Sequence, residues 1–341
     1  MVVVLEFCHS SVTSLVSEGR ERRALQLVDA GLDAARSEGL RSELLACLVD
    51  KARLQRALGD RDAARATMSE ADEVAPLVVD VPLVVCALRV WAELTSPSWS
   101  AVERLLTGLD PGAAGADFAL AVWSVADKAS AMVAEGSLAA AATLYAALVA
   151  APCPESVSGV PLVPEAGLAA TLRALGYLGA AAASVYEAEA SYVERKDPLV
   201  ARCLLMVERR RLLAAAGRHE AAADVHAALR VQAPAAMQRL EARVLELARA
   251  AAGRPNSYLL TGMRQWETIA RSLGDHTTIV RCWLPAETAL TRLGPSGDEW
   301  VRQKALSMSA EAALLAGLDR FLRRLHALLA CVGIRRLRVE G

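Results

Sequence analysis

Histidine and cysteine are the residues of this chain best suited to chemistry, and two of the five histidines stand at a regular spacing. His219 and His226 are seven residues apart, which places them on one face of a helix. Glu220 and Asp224 lie on the same stretch, but a metal site there needs a further ligand from another helix, and the sequence points to none. We therefore interpret both histidines as packing or interface residues, and we expect neither a metal site nor a cofactor.

The motifs of the common enzyme classes are missing from the sequence. It contains no glycine-lysine phosphate loop, no glycine-rich dinucleotide fingerprint, no HExxH zinc motif and no GxSxG nucleophile elbow. These chemistries also need strands or pockets that helical arrays rarely supply. We predict that the protein is not an enzyme.

The seven cysteines form no CxxC pair, and all but Cys153 lie in apolar stretches of helical character. Such thiols are typical of a reducing compartment, so we predict a cytoplasmic, intracellular protein. The N-terminal stretch MVVVLEFCHSS has no basic region and reaches Glu6 at once, which does not fit a secretory signal. The longest uncharged run, from Gly136 to Pro154, is rich in alanine, and we interpret it as a buried helical hairpin and not as a membrane span.

The elements that must position the remaining polar residues are helical. Hydrophobic residues make up 54% of the chain but aromatic ones only 4%, a balance that favours helices packed through small side chains over a sheet protein. The clearest element runs from Leu44 to Pro76. Its first half carries apolar residues at helical spacing, Gly59 ends that helix, and Asp60 is placed to cap a second helix.

This hairpin resembles the tetratricopeptide repeat (TPR). The residues that match the TPR pattern are Ala52, Gly59, Ala64, Met68, Ala71 and Pro76, whereas Leu48 and Gln55 replace its Trp and Tyr. Further copies are marked by turn glycines at Gly19, Gly136, Gly176, Gly217, Gly253 and Gly294, and a turn at Ser96-Pro97-Ser98 marks one more. The period is about 40 residues, longer than that of the standard repeat.

The resemblance implies an all-α, right-handed superhelix (α-solenoid) of about eight helical hairpins in a single domain, 1–341. The irregular segment near 153–164 is a candidate hinge, because it contains prolines and glycine between two copies. The second helix of the sixth copy is predicted to end at Pro234. We expect a C-terminal capping helix within 317–341.

TPR proteins hold their ligands on the first helix of each hairpin (helix A), which lines the concave groove. The resemblance places a set of mostly basic residues there, namely Arg53, Arg56, Trp123, Arg173, Arg211, Arg243 and Arg281, with His9, Thr13, Ser130 and Arg292 as further members. A guanidinium can form paired hydrogen bonds with a carboxylate, so such a row suits an acidic or extended peptide segment.

Two function classes remain open. The first is a protein-interaction scaffold or adaptor, as a subunit of a complex, that binds a partner segment in this groove. The second is a ligand- or peptide-sensing arm of a transcriptional or signalling regulator, since the long repeats are similar to those of sensor arms in bacterial activators of the maltose-activator type. The net charge of −1 argues against direct nucleic-acid binding, which needs a clear positive excess.

Overall fold

The computed structural model describes residues 11–109, 116–151, 160–192, 199–250, 257–275 and 278. Within these ranges every regular element is helical, which confirms the all-α prediction. Residues 11–17 are helical, and twelve longer helices follow. They are α1 (Glu21–Glu38), α2 (Arg41–Ala57), α3 (Arg61–Val74), α4 (Val81–Thr95), α5 (Trp99–Thr107), α6 (Ala116–Ala134), α7 (Leu138–Ala150), α8 (Pro164–Ala174), α9 (Leu178–Tyr192), α10 (Leu199–Ala215), α11 (His219–Ala250) and α12 (Ser257–Leu273).

The turns between these helices have the geometry that the glycine markers predict. Gly59 separates α2 from α3 with a φ of 86°, in the left-handed region that residues with a side chain rarely adopt. The predicted markers Gly19, Gly136, Gly176 and Gly217 also have positive φ values between 70° and 87°. Gly253 and Gly294 lie outside the described residues. A common turn therefore joins the two helices of each of these hairpins.

The α2–α3 hairpin packs as predicted. The Asp60 side chain accepts a hydrogen bond from the Ala63 amide at 3.0 Å and caps α3. Ala64, Met68 and Ala71 are at most 2% exposed, because they face the contact between α2 and α3. The α-helix ends at Val74 and is followed by a short 3₁₀ turn, Ala75–Leu77, that contains Pro76.

The next two copies also follow the prediction. Helices α4 and α5 flank the Ser96-Pro97-Ser98 turn. The alanine-rich stretch after Gly136 forms α7, whose buried residues include Ala141, Leu144 and Leu148. In the part of the chain that the structure describes, no helix is long and apolar enough to cross a membrane.

The predicted end of the sixth copy at Pro234 is wrong. Helix α11 continues through this proline and is 32 residues long. A proline inside a helix removes one backbone hydrogen bond, a cost of about 3 kcal/mol. Ala233, Ala236 and Leu240 are at most 2% exposed on either side of it, and their burial holds the helix together across the defect.

The chain divides into two compact units. The first unit contains Met1–Glu155, Leu162–Pro198 and Glu208–Ala223, and the second contains Ser156–Pro161, Leu199–Val207 and Asp224–Gly341. In the second unit, α12 buries Met263, Trp266 and Ile269, and the Gln265 amide donates to the Pro161 carbonyl at 2.6 Å. The predicted capping helix within 317–341 lies outside the described residues, as does most of the predicted hinge.

Packing inside the first unit is not limited to consecutive helices. Helix α4 packs against α2 and α3, as in a simple array, but also against α7 and α9. The Tyr177 hydroxyl, just before α9, donates a hydrogen bond to Asp72 on α3, across a separation of 105 residues. Since each copy of a simple repeat array contacts only its neighbours, the fifth copy here returns to the second and third.

Candidate functional site

The predicted arginines on α2 belong to a cluster that also includes residues of α4. Helices α2 and α4 are the first helices of consecutive copies and contact each other. Arg56 donates to Oε2 of Glu93 on α4, and Arg89 Nε donates to Oε1 of the same carboxylate at 3.1 Å. The Glu93 side chain is 10% exposed. One nearly buried carboxylate therefore holds two guanidinium groups.

Arg53 extends this first arginine cluster, which we define as Arg53, Arg56, Arg89 and Glu93. Its Nη2 atom lies 2.8 Å from Cys86 Sγ on α4, and its Nη1 atom lies 3.8 Å from Asp50. Burial lowers the pKa of Arg56, and the neighbouring positive charges, of which Arg53 is the largest, lower it further. The guanidinium remains charged at neutral pH, so positive charge is concentrated here.

A second arginine cluster has the same design on α8 and α10. Arg173 Nε on α8 donates to Oε2 of Glu208 on α10 at 3.2 Å, and Arg211 donates to Oε1. The Glu208 side chain is 5% exposed, whereas those of Arg173 and Arg211 are 26% and 34% exposed. As in the first arginine cluster, two guanidiniums share one carboxylate, and here the positive charge exceeds the negative by one.

The other predicted groove residues are not part of these clusters. Trp123 is 3% exposed, so its indole ring packs inside the first unit and is not presented to a partner. Ser130, which lies on the same helix, shares a hydrogen bond with the Tyr145 hydroxyl at 2.9 Å. Arg243 lies on α11 in the second unit and pairs with Glu246 one turn away at 2.5 Å. The remaining two arginines, Arg281 and Arg292, lie outside the described residues, as does His9.

The glutamates that hold the arginines were not among the predicted site residues. Arg56 and Glu93 are 37 residues apart, and Arg173 and Glu208 are 35 apart. A third pair, Arg36 with Glu70, joins α1 to α3 at a separation of 34. An acidic residue about one repeat after an arginine is thus the signal that could have identified these pairs, because copies one period apart lie side by side.

The histidine pair shows no metal-site geometry. His219 is exposed and His226 is half-buried on α11. Among the described residues, no three His, Cys, Asp or Glu side chains are grouped so that they could hold a metal ion.

Comparisons with known proteins add little to this site. No protein-family model matches the chain, and no curated protein matches it in sequence. Among solved structures, the chain is similar to the crystal structure of the P58(IPK) TPR domain. The sequence identity is 12% and the TM-score is 0.18, and the match covers 92% of this chain and 99% of that chain. A likeness at that TM-score carries no weight, so the hairpins and turns of the chain itself show the fold. Over the described residues, the fold is an all-α array of helical hairpins.

Proposed function

We propose that this protein is an interaction scaffold or adaptor that holds an acidic, extended segment of a partner protein on its first helices. The observation that carries this proposal is the sharing of one buried glutamate by two arginines, which occurs at Glu93 and again at Glu208. The reduced thiols of Cys86 and Cys203 agree with a subunit that works in a reducing cytoplasm.

The charge of each cluster favours an incoming carboxylate. A guanidinium carries five N–H donors, and one carboxylate shared between two guanidiniums occupies only some of them. Arg56, Arg173 and Arg211 have side chains that are 26% to 41% exposed, so solvent reaches part of each group. A second carboxylate, supplied by the partner, balances the excess positive charge and accepts paired hydrogen bonds.

The buried glutamates also prepare the arginines for binding. An exposed arginine loses side-chain freedom when a ligand fixes it, which weakens binding. Arg56 and Arg173 are already held by hydrogen bonds to a carboxylate on the next first helix, so less freedom remains to be lost. The clusters lie on the α2–α4 and α8–α10 pairs, so a segment that binds both must reach from one pair to the other.

The test is the binding of a fluorescein-labelled peptide of alternating glutamate and glycine, measured by fluorescence anisotropy. Arg89→Gln and Arg211→Gln each remove one positive charge and leave Glu93 with Arg56 or Glu208 with Arg173, so the fold is preserved. We expect each variant to weaken binding about tenfold, the loss of one charge-assisted contact. Binding of the wild type should also weaken as salt is added.

Arg65→Gln is the matched control. Arg65 pairs with exposed Asp62 at 3.1 Å on α3, away from both clusters, and its loss removes the same charge from the whole protein. Equal affinity in the wild type and the Arg89→Gln/Arg211→Gln double variant would refute the proposal, and so would equal binding of a glutamine-glycine peptide. Charge reversal is unsuitable here, because Arg173→Glu with Arg211→Glu brings three carboxylates together around a buried position.

A further inference from the structure

The first arginine cluster differs from the second in the number of its guanidinium groups. Arg53 and Arg56 are one turn apart on α2, and Arg89 lies on α4, which contacts α2. The second arginine cluster has two guanidiniums, those of Arg173 and Arg211. Because one carboxylate is satisfied by one or two guanidiniums, the third group in the first arginine cluster points to a ligand with more acceptor oxygens.

Two contacts between α2 and α4 hold these groups side by side. Arg53 Nη2 lies 2.8 Å from Cys86 Sγ, and Arg56 donates to Oε2 of Glu93. Cys86, Arg89 and Glu93 stand at helical spacing, so they share one face of α4. Arg89 donates to the second oxygen of Glu93 from this face. The three guanidinium groups therefore lie together in one region between the two helices.

Most of the hydrogen-bond donors in this region are unused. A guanidinium has five N–H donors, and among the described residues Arg53, Arg56 and Arg89 donate one hydrogen bond each. Asp50 offsets part of the charge of Arg53, but at 3.8 Å it is too far away to accept a hydrogen bond. The three arginine side chains are 41% to 50% exposed, so a ligand can reach the unused donors from solvent.

The positive charges of this region also repel one another. Burial lowers the pKa of Arg56, and repulsion from three other arginines lowers it further, whereas Glu103 raises it. These arginines are Arg53, Arg61 and Arg89. Beyond the shared glutamate, three cations thus act on Arg56 against one carboxylate. An anion with two charges relieves more of this repulsion than a single carboxylate does.

We propose that the first arginine cluster receives a phosphoryl group, carried by a phosphorylated serine or threonine of the acidic partner segment. This inference rests on the proposed function and names the group that the segment places between α2 and α4. A phosphoryl group has a charge of about −1.5 to −2 at pH 7 and three acceptor oxygens, so it can bind several guanidiniums at once. Arg53 and Arg56 donate to it from α2 and Arg89 donates from α4, while Glu93 keeps its two hydrogen bonds.

A single phosphoryl group fits this cluster better than a polyanion does. Nucleic acids and anionic membrane surfaces present many phosphates and attract proteins through an extended excess of positive charge. The net charge of the whole chain is −1, so the favourable potential is local. Each phosphodiester of a nucleic acid also carries less charge than a phosphoserine.

The test compares three fluorescein-labelled peptides by fluorescence anisotropy. Each peptide alternates glutamate with glycine, and its central position is phosphoserine, glutamate or serine. We expect the wild type to bind the phosphoserine peptide about tenfold more tightly than the glutamate peptide, and the serine peptide most weakly. A short oligothymidylate and vesicles that contain phosphatidylinositol 4-phosphate are added as competitors, because they supply phosphate from other sources.

The decisive variant is Arg53→Gln. It removes the third guanidinium and leaves Glu93 with Arg56 and Arg89, so the fold is preserved. Its matched control is Arg211→Gln, which removes the same charge from the second arginine cluster. We expect the preference for phosphoserine over glutamate to fall to about twofold or less in Arg53→Gln. Arg211→Gln should weaken binding of both peptides equally and keep the preference.

The possible results separate this inference from the proposed function. If the wild type binds the phosphoserine and glutamate peptides equally, the phosphoryl site is refuted and the proposed function stands. An unchanged preference in Arg53→Gln also overturns the inference, as does stronger competition by the oligothymidylate or the vesicles than by unlabelled phosphoserine peptide. Absence of binding by all three peptides refutes both proposals, whereas binding of the phosphoserine peptide alone contradicts only the proposed function.

Discussion

Glu208 holds two guanidinium groups, and this sharing makes the two arginines redundant for stability. Arg173→Ala leaves Arg211 on the carboxylate, and Arg211→Ala leaves Arg173 there. Each arginine is only partly buried, so water replaces some of what is lost. We expect each single substitution to lower the free energy of unfolding by about 1 kcal/mol, the usual value of one hydrogen bond.

The double substitution has a different physical consequence. With Arg173 and Arg211 both replaced, the Glu208 carboxylate stays 5% exposed without a cation, which is the situation of a broken buried ion pair. Such breaks cost about 3 to 5 kcal/mol. The double variant should therefore lose about 1 to 3 kcal/mol more than the sum of the two single losses.

The assay is urea unfolding at neutral pH, followed by far-UV circular dichroism, with equal slopes required for all variants. Glu208→Gln in the double-variant background removes the buried charge and should recover at least about 1 kcal/mol. Arg36→Ala and Arg65→Ala serve as the control pair, because their carboxylate partners are exposed and not shared, so their effects should add. An additive result for Arg173 and Arg211, or no recovery with Glu208→Gln, would show that Glu208 is not held jointly.

Three further predictions concern packing, thiol reactivity and pH. Gly167→Ala places a Cβ atom 2.4 Å from the Tyr145 ring. We expect the free energy of unfolding in urea to fall by about 1 to 3 kcal/mol, although alanine has the better helix propensity. A Tyr145→Leu substitution in the same chain should restore most of this loss. Burial raises the pKa of Cys203 from 9.0 to about 11, so a thiol reagent at pH 8 should modify Cys47 and Cys86 first. Because the folded-state pKa is the higher one, this thiol stabilises the fold below pH 9, and the contribution should disappear as the pH rises from 9 to 11. Rapid modification of Cys203 at pH 8, or no recovery with Tyr145→Leu, would contradict these predictions.

Local features of the fold were predictable because they depend on neighbouring residues. A glycine between two apolar helical stretches requires a left-handed turn, and Gly59 adopts one. Ala64, Met68 and Ala71 are spaced for one helical face, and all three are buried. The prediction that the helix ends at Pro234 was wrong. The burial of apolar residues on both sides of the proline offset its local preference to end the helix.

The candidate site was only partly predictable. The first-helix arginines Arg56 and Arg173 were identified by their positions in the repeat, but Glu93 and Glu208 belong to the next copy, and their role depends on how the copies pack. Trp123 was placed on the groove by the same counting rule, yet it is buried. The counting rule was taken from the standard repeat, which is shorter than the copies in this chain, so a position chosen by residue number alone need not face the groove.

The hydrogen bond between Tyr177 and Asp72 has a consequence for synthesis of the chain. A repeat array with only neighbouring contacts can fold copy by copy as it leaves the ribosome. In this protein, the core that contains Met68 and Leu88 also contains Tyr177, which is made 105 positions after its hydrogen-bond partner Asp72. During translation, the apolar surface of the second and third copies therefore stays exposed to solvent until the fifth copy has been made. A chain truncated before α9 would keep that surface exposed and would be prone to aggregate.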